Sequence, residues 1–317
     1  MSKQPIDLGN RIYLIDGFDL GTAGRTGSYV IKEEELTIVE TSASPSVPYI
    51  LKGLAELKLD PKDVKYIIVT HIHLDHAGGV GLLLEHCPDA KVVVHPKGAR
   101  HLADPSRLIA GAKAVYGDKF DSLFHPILPV PEERIIVKED RETLVIGPNC
   151  TLQFFDTPGH ANHHFSIYDP VSNGIFTGDT IGVRYQQVEE YGTTLYLPST
   201  SPNQFDPQAM LQSLRMIRDL QVDRIYFGHF GMSTEVEEVY KQIEQWLPVY
   251  VETAADTFEQ GEEATDIALK LFAKVQEHLT NRQVPVDHPV YQLIKLDVDV
   301  CAMGLVDYLV KKQKVSS

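Results

Sequence analysis

The sequence predicts a layered α/β fold with a helical insertion and a C-terminal helical appendage. Three observations predict it. Short β-branched and aromatic runs alternate with helical patterns over the first two-thirds of the chain, the pattern of sheets covered by helices. Residues 97–134 switch to helical spacing before a proline-rich exit at Pro126, Pro129 and Pro131. From residue 233 onward the pattern is helical alone.

In order, RIYLIDGF and SYVIKEEELTIVET read as strands, the second broken by a hairpin turn over residues 32–35. SVPYILKGLAEL reads as a helix, with Ser46 as N-cap and Pro48 in its first turn. Residues 64–70 form a short apolar run of the buried-strand kind. GGVGLLLEH follows as a helix and AKVVVHP as the next buried strand. The insertion at 97–134 is expected to overhang a site. Strands are expected again at 142–146, 151–156, SIYDP, 174–177 and 224–227, and the helices VEEVYKQIEQWL, ATDIALKLFAKVQEHL and VCAMGLVDYLVKK close the chain. The expected division is a core over 1–232 and a helical region over 233–317. Leu247, Val249, Leu269, Leu271, Phe272 and Val275 would pack that tail onto the core. Gly304 inside a helical stretch implies close packing or a break.

Composition narrows the function. The 317 residues are 43% hydrophobic and 23% charged, enough for a substantial core. A net charge of −15 argues against a nucleic-acid groove. Cys87, Cys150 and Cys301 are odd in number and widely spaced, as expected of buried free thiols in a reducing compartment. The N-terminus lacks the pattern of a signal peptide, and no apolar run reaches the ~20 residues that span a bilayer. A cytoplasmic protein acting on a small molecule is expected, with no membrane or nucleic-acid partner.

The chemistry concentrates in THIHLDHAGG, residues 70–79. In extended chain His71 and His73 point to one side and can share a metal ion. After a turn, Asp75 and His76 can reach a second ion nearby. Imidazole and carboxylate donors suit zinc, iron or manganese. A catalytic site keeps a position for water, whose pKa the metal lowers toward ~7.

HIHLDHAGG resembles the HxHxDH signature of the metallo-β-lactamase superfamily, with the aspartate found in two-metal hydrolases of the glyoxalase II and lactonase kind. DTPGH (residues 156–160), IFTGDT (175–180) and IYFGH (225–229) are similar to that family's later ligand motifs. The resemblance implies an αββα sandwich. It also implies two divalent ions, with zinc expected: His71, His73 and His160 on the first, Asp75, His76 and His229 on the second, and Asp179 bridging. A departure is Glu40-Thr41-Ser42 where the family carries Asp-Thr-Gly, so Glu40 is expected to support the site or the fold. His163 and His164 are expected to be hydrogen-bonded near a strand start.

The resemblance implies hydrolysis of an ester-like bond by a hydroxide bridging the metals, with Asp75 orienting it and taking its proton. Residues 181–207 hold Tyr185, Tyr191 and Tyr196, and Tyr196 is the expected phenol donor to the oxyanion. Lactones, thioesters and phosphoesters all fit. The tail lacks a basic motif of the glutathione-binding kind; Lys311, Lys312 and Lys314 read as a solvated terminus. The alternative is an iron-dependent redox or oxygen-handling member of the fold, although those carry HxExD in place of HxHxDH. The tail is expected to cap the site or to form a homodimer face.

Overall fold

The structure, a computed structural model, describes residues 4–316. The chain forms two compact units, each assembled from separated segments. The first comprises Met1–Asp156, His163–Gly178 and Val222–Thr234; the second comprises Thr157–Asn162, Asp179–Gln221 and Glu235–Ser317.

In the first unit, β1 (Ile6–Asp7), β2 (Ile12–Asp16), β3 (Gly27–Ile31), β4 (Thr37–Val39), β5 (Tyr66–Ile68), β6 (Lys91–Val94) and β7 (Ile135–Val137) form one sheet in chain order. The pairs from β1 to β4 are antiparallel and those from β4 to β7 parallel. The period-two rule of strands sorts their side chains onto two faces. Val30, Ile38, Ile67, Val92 and Val94 pack with Ile50 and Leu54 of α1 (Val47–Glu56). α2 (Leu74–Ala77) carries part of the site, while α3 (Val80–Leu84) and α4 (Pro96–Ala103) add Leu83 and Leu102 to that same core. Leu14, Tyr29, Ile31, Val39, Ile68 and Val93 join a different core, shared with a second sheet.

The insertion forms α4, α5 (Ser106–Tyr116) and α6 (Phe120–Phe124). Phe120 and Phe124 pack on Leu74, between His73 and Asp75, and on Ala43. The second sheet contains β8 (Thr143–Gly147), β9 (Cys150–Asp156), β10 (Phe165–Asp169) and β11 (Gly174–Gly178). The ribbon β12 (Val183–Arg184) and β13 (Tyr196–Leu197) belongs to the second unit. β14 (Arg224–Phe227) and β15 (Met232–Ser233) return to the second sheet, whose order is β15-β14-β11-β10-β9-β8. Only the β11–β14 pair in it is parallel. Phe154, Phe165, Ile167, Phe176 and Tyr226 line its face toward the first sheet. Each such fully buried side chain contributes roughly 1.5–3 kcal/mol.

The second unit gathers α7 (Pro207–Asp219), α8 (Val236–Glu259), α9 (Ala264–Thr280) and α10 (Val290–Ser316). Asp206 caps α7 by accepting from Gln208 N and Ala209 N. Leu247, Tyr250, Leu271, Val275, Ile294 and Leu305 share one core. Two details differ from the sequence reading. Leu269 is 56% exposed, because Ile267, Leu271 and Val275 define the buried stripe of α9 and Leu269 lies off it. Ser46 holds the N-cap position of α1 but makes no side-chain cap bond, since a 3-10 turn, Ser44–Ser46, leads straight into the helix. The three cysteines are buried and free. Among the described residues, no helix is long and apolar enough to cross a membrane.

Candidate metal centre

Each sequence-predicted ligand group lies within a few residues of a strand end: His71 after β5, His160 after β9, Asp179 after β11 and His229 after β14. Loops there are released from ladder hydrogen bonding while their stems stay rigid.

In the first unit, His71, His73, Asp75 and His76 run from the end of β5 into α2. His73 is the N-cap of α2 and extended (φ −62°, ψ 149°), so the chain turns into the helix directly after the histidine pair. The His71 and His73 rings lie 4.6 Å apart, and the His71 and His76 rings 4.1 Å apart. Asp75, His76 and His229 present ligand atoms within 4.8 Å of one another. Asp75 Oδ2 is 3.8 Å from His76 Nε2 and 3.6 Å from His229 Nε2.

For His76 a buried partner selects which nitrogen the ring offers. Glu40 is 2% exposed, and its Oε2 accepts from His76 Nδ1 at 2.6 Å while its Oε1 accepts from Thr70 N at 2.7 Å. A carboxylate that accepts a hydrogen bond from Nδ1–H keeps the proton on Nδ1 and leaves the Nε2 lone pair for a metal. Glu40 therefore ties the segment directly after β4 to His76, and it does so at φ 67°. Thr70 Oγ1 lies 3.0 Å from His71 Nδ1. His164 and His163 are buried, with rings 5.0 Å and 6.3 Å from that of His71.

Sequence reasoning missed Asp19. Its carboxylate is 2% exposed and pairs with Arg25 Nε at 2.9 Å. Burial raises its pKa, Arg25 opposes the rise, and the charge of Asp75 adds to it. A lone aspartate in a loop gives no sequence signal for this placement.

The second unit holds the other predicted ligands. Gly159 takes φ +134°, and a Cβ there would sit 2.4 Å from the Met210 backbone, so only glycine lets the loop run this close to α7. His160 follows, 1% exposed, and its Nδ1 donates to the Ser199 carbonyl at 3.1 Å. That again leaves Nε2 for a ligand role, and it lies 3.8 Å from Asp179 Oδ2. Ser199 Oγ donates to the same Asp179 oxygen at 3.1 Å. Tyr196 sits on β13, 1% exposed, and its backbone N donates to Gln242 Oε1 at 2.9 Å. Tyr185 lies in the second unit's core and donates to Asp297 Oδ2 at 2.8 Å.

The donor set fits divalent metal ions: imidazoles, two of them with an acceptor on Nδ1, beside carboxylates, in clusters of atoms close enough to share an ion.

A family model described as the metallo-beta-lactamase superfamily matches residues 21–229. The metallo-beta-lactamase fold-containing protein ST1585 of Sulfurisphaera tokodaii is 29% identical over 221 residues, covering 68% of this chain and 77% of that protein. The putative diflavin flavoprotein A 1 of a Nostoc species is 25% identical over 264 residues, covering 80% of this chain and 40% of that protein. Among solved structures, the metallo-beta-lactamase family protein TTHA1429 from Thermus thermophilus matches with a TM-score of 0.68 at 20% identity, covering 96% of this chain and 95% of that one. At that identity the structural likeness carries the two-sheet fold alone.

Proposed function

The chain belongs to the metallo-β-lactamase superfamily, and from that premise we propose that it is a binuclear metal-dependent hydrolase cleaving an ester-like bond in a small lactone, thioester or phosphoester. Following the family's motifs, His71, His73 and His160 would hold the first ion, Asp75, His76 and His229 would hold the second, and Asp179 would serve both. The observation that carries this reading is the Asp75–His76–His229 cluster, with the His76 tautomer set by Glu40. It supplies donors for a second ion, which the two-metal mechanism needs.

When bound, the pair of ions supplies an activated water nucleophile at neutral pH and polarises the substrate's carbonyl or phosphoryl oxygen. Asp75, whose Oδ2 lies 3.8 Å from His76 Nε2, would orient that water, take its proton and return it to the leaving group. Glu40 and the Ser199 carbonyl hold His76 and His160 with Nε2 turned away from their hydrogen bonds. The phenol of Tyr196 donates to the oxygen on which negative charge develops. Zinc is the ion we assign; iron or manganese fits the same donors.

The redox alternative is favoured by the likeness to a diflavin flavoprotein. Against it stand His73 and His76, which complete HxHxDH where redox members of the family carry HxExD. Elemental analysis of protein purified without added metal, beside a panel of lactone, thioester and phosphodiester substrates, separates the two. About two ions per chain with turnover of one substrate class supports the hydrolase. Two irons without hydrolysis would replace it by the redox reading, and metal-free protein that still hydrolyses would sink both.

A further inference from the structure

Ser199 touches two of the proposed ligands at once. Its carbonyl accepts from His160 Nδ1 and its hydroxyl donates to Asp179 Oδ2. Its neighbour Ser201 places Oγ 3.4 Å from His160 Nε2, the nitrogen left for the metal. The segment 198–201 is thus a strap running along both side chains.

What holds the strap is the last helix. Thr200 N donates to Cys301 Sγ at 3.4 Å, and Thr200 Oγ1 donates to the Cys301 carbonyl at 2.9 Å. Burial pushes the Cys301 thiol up to about 12, so it stays protonated and donates to the Pro198 carbonyl at 3.7 Å. Lys311, further along α10, donates to the Asn203 carbonyl. Gly304 faces the strap directly: a Cβ there would lie 1.7 Å from the Thr200 carbonyl oxygen and 2.6 Å from Ser201 C. A helix-interior glycine costs roughly 1 kcal/mol against alanine, and here it lets the strap lie on the helix backbone.

We propose that α10 is a positioning element of the metal centre: through the 198–201 strap it fixes Ser199, which orients His160 and Asp179. The appendage is then part of the site's construction and not a separate module. This rests on the metal-centre reading above. Support of this kind is worth about 10–100-fold in metal affinity.

The test uses full-length protein and zinc alone, measured by competition with a chromophoric chelator, with thermal melts of the metal-free forms alongside. Ser199→Ala keeps the carbonyl and removes the hydroxyl; it should weaken zinc binding at least tenfold, while Ser199→Thr, which restores a hydroxyl, should recover most of the loss. Gly304→Ala and Cys301→Ala should weaken binding in the same direction without touching any ligand. Should Gly304→Ala lose its helical signal, Cys301→Ala carries the comparison. Wild-type zinc affinity in both helix variants overturns the role of α10, even if their melting temperatures fall. Wild-type affinity in Ser199→Ala overturns the role of Ser199. A wild-type protein that binds no zinc or other divalent ion refutes the metal reading itself, and this inference with it.

Discussion

Glu40→Gln separates the charge of one buried side chain from its shape. Glutamine can still accept from Thr70 N, the 2.7 Å bond that Glu40 Oε1 makes. Its amide then faces His76 Nδ1, which in the native protein lies 2.6 Å from a carboxylate oxygen. An amide N–H can only donate there, so Nδ1 must become the acceptor and Nε2 must carry the proton. That is the nitrogen needed for the metal. The expected result is a loss of about 10–100-fold in affinity for one ion, or about 1.4–2.7 kcal/mol. The φ of 67° at Glu40 is the same for either side chain, so backbone strain cancels in the comparison. Glu40→Ala is the contrast: it strips the buried Thr70 N–H of its acceptor and should cost about 1–3 kcal/mol of fold stability as well. Chelator competition gives the affinity. Melts with and without metal give the fold term, because an ion that binds only the native state raises the melting temperature. Wild-type affinity for both ions in Glu40→Gln would refute the argument, since the His76 tautomer would then not depend on Glu40.

Three further outcomes are expected. His71→Ala and Asp179→Ala should each abolish turnover and release metal, as read by elemental analysis; full activity without bound metal would end the hydrolase proposal. Tyr196→Phe should lower turnover about tenfold or more while metal content stays at the wild-type level, and an unchanged rate removes Tyr196 from the mechanism. Burial, with Arg282 adding to it, lowers the His278 pKa from 6.5 to about 4. The unfolded chain therefore takes up a proton as pH falls below 6.5 while the folded chain resists, so this contribution to stability is complete above pH 6.5 and is lost progressively toward pH 4. Urea midpoints at about pH 7.5 and about pH 5 should draw together in His278→Gln; an unaltered gap shows that another group carries the dependence.

The strands were readable from sequence because their side chains obey a local rule, and the two faces of β3 to β6 follow period two without exception in the cores they enter. HxHxDH was readable for the same reason: four donors within six positions need no tertiary information. Longer-range features were not. The helical pattern VEEVYKQIEQWL ends at Leu247, directly before Pro248, and proline in a helix interior costs about 3 kcal/mol. The helix nevertheless runs to Glu259, with Trp246, Leu247, Tyr250 and Ala254 buried on either side of the proline. That burial outweighs the local penalty. Ser199 gave no signal because serine in a loop is ordinary; its meaning comes only from contacts with His160, Asp179 and, through Thr200, Cys301. Gly304 could be read as close packing or a break, and contact with the strap decides for close packing. The expected cut near residue 233 is a line in sequence, whereas the compact units take in residues 157–162 and 179–221 with the C-terminal helices.

On the ligand set proposed above, the position of β14 also sets when an ion would be captured. This strand lies between β11 and β15 in the second sheet, and it carries His229 at its end. The chain makes β11, leaves for residues 179–221 in the other unit, and only then returns to lay β14 beside it. The roughly 150 residues from His76 to His229 take roughly 8–30 s to synthesise at about 5–20 residues per second. During that interval His76 and Asp75 lack their third donor. On that ligand set, loading of this cluster is a late event in the life of a nascent chain, and zinc retained by a fragment stalled just before His229 would have to be held by the donors already made, His71, His73, His160 and Asp179.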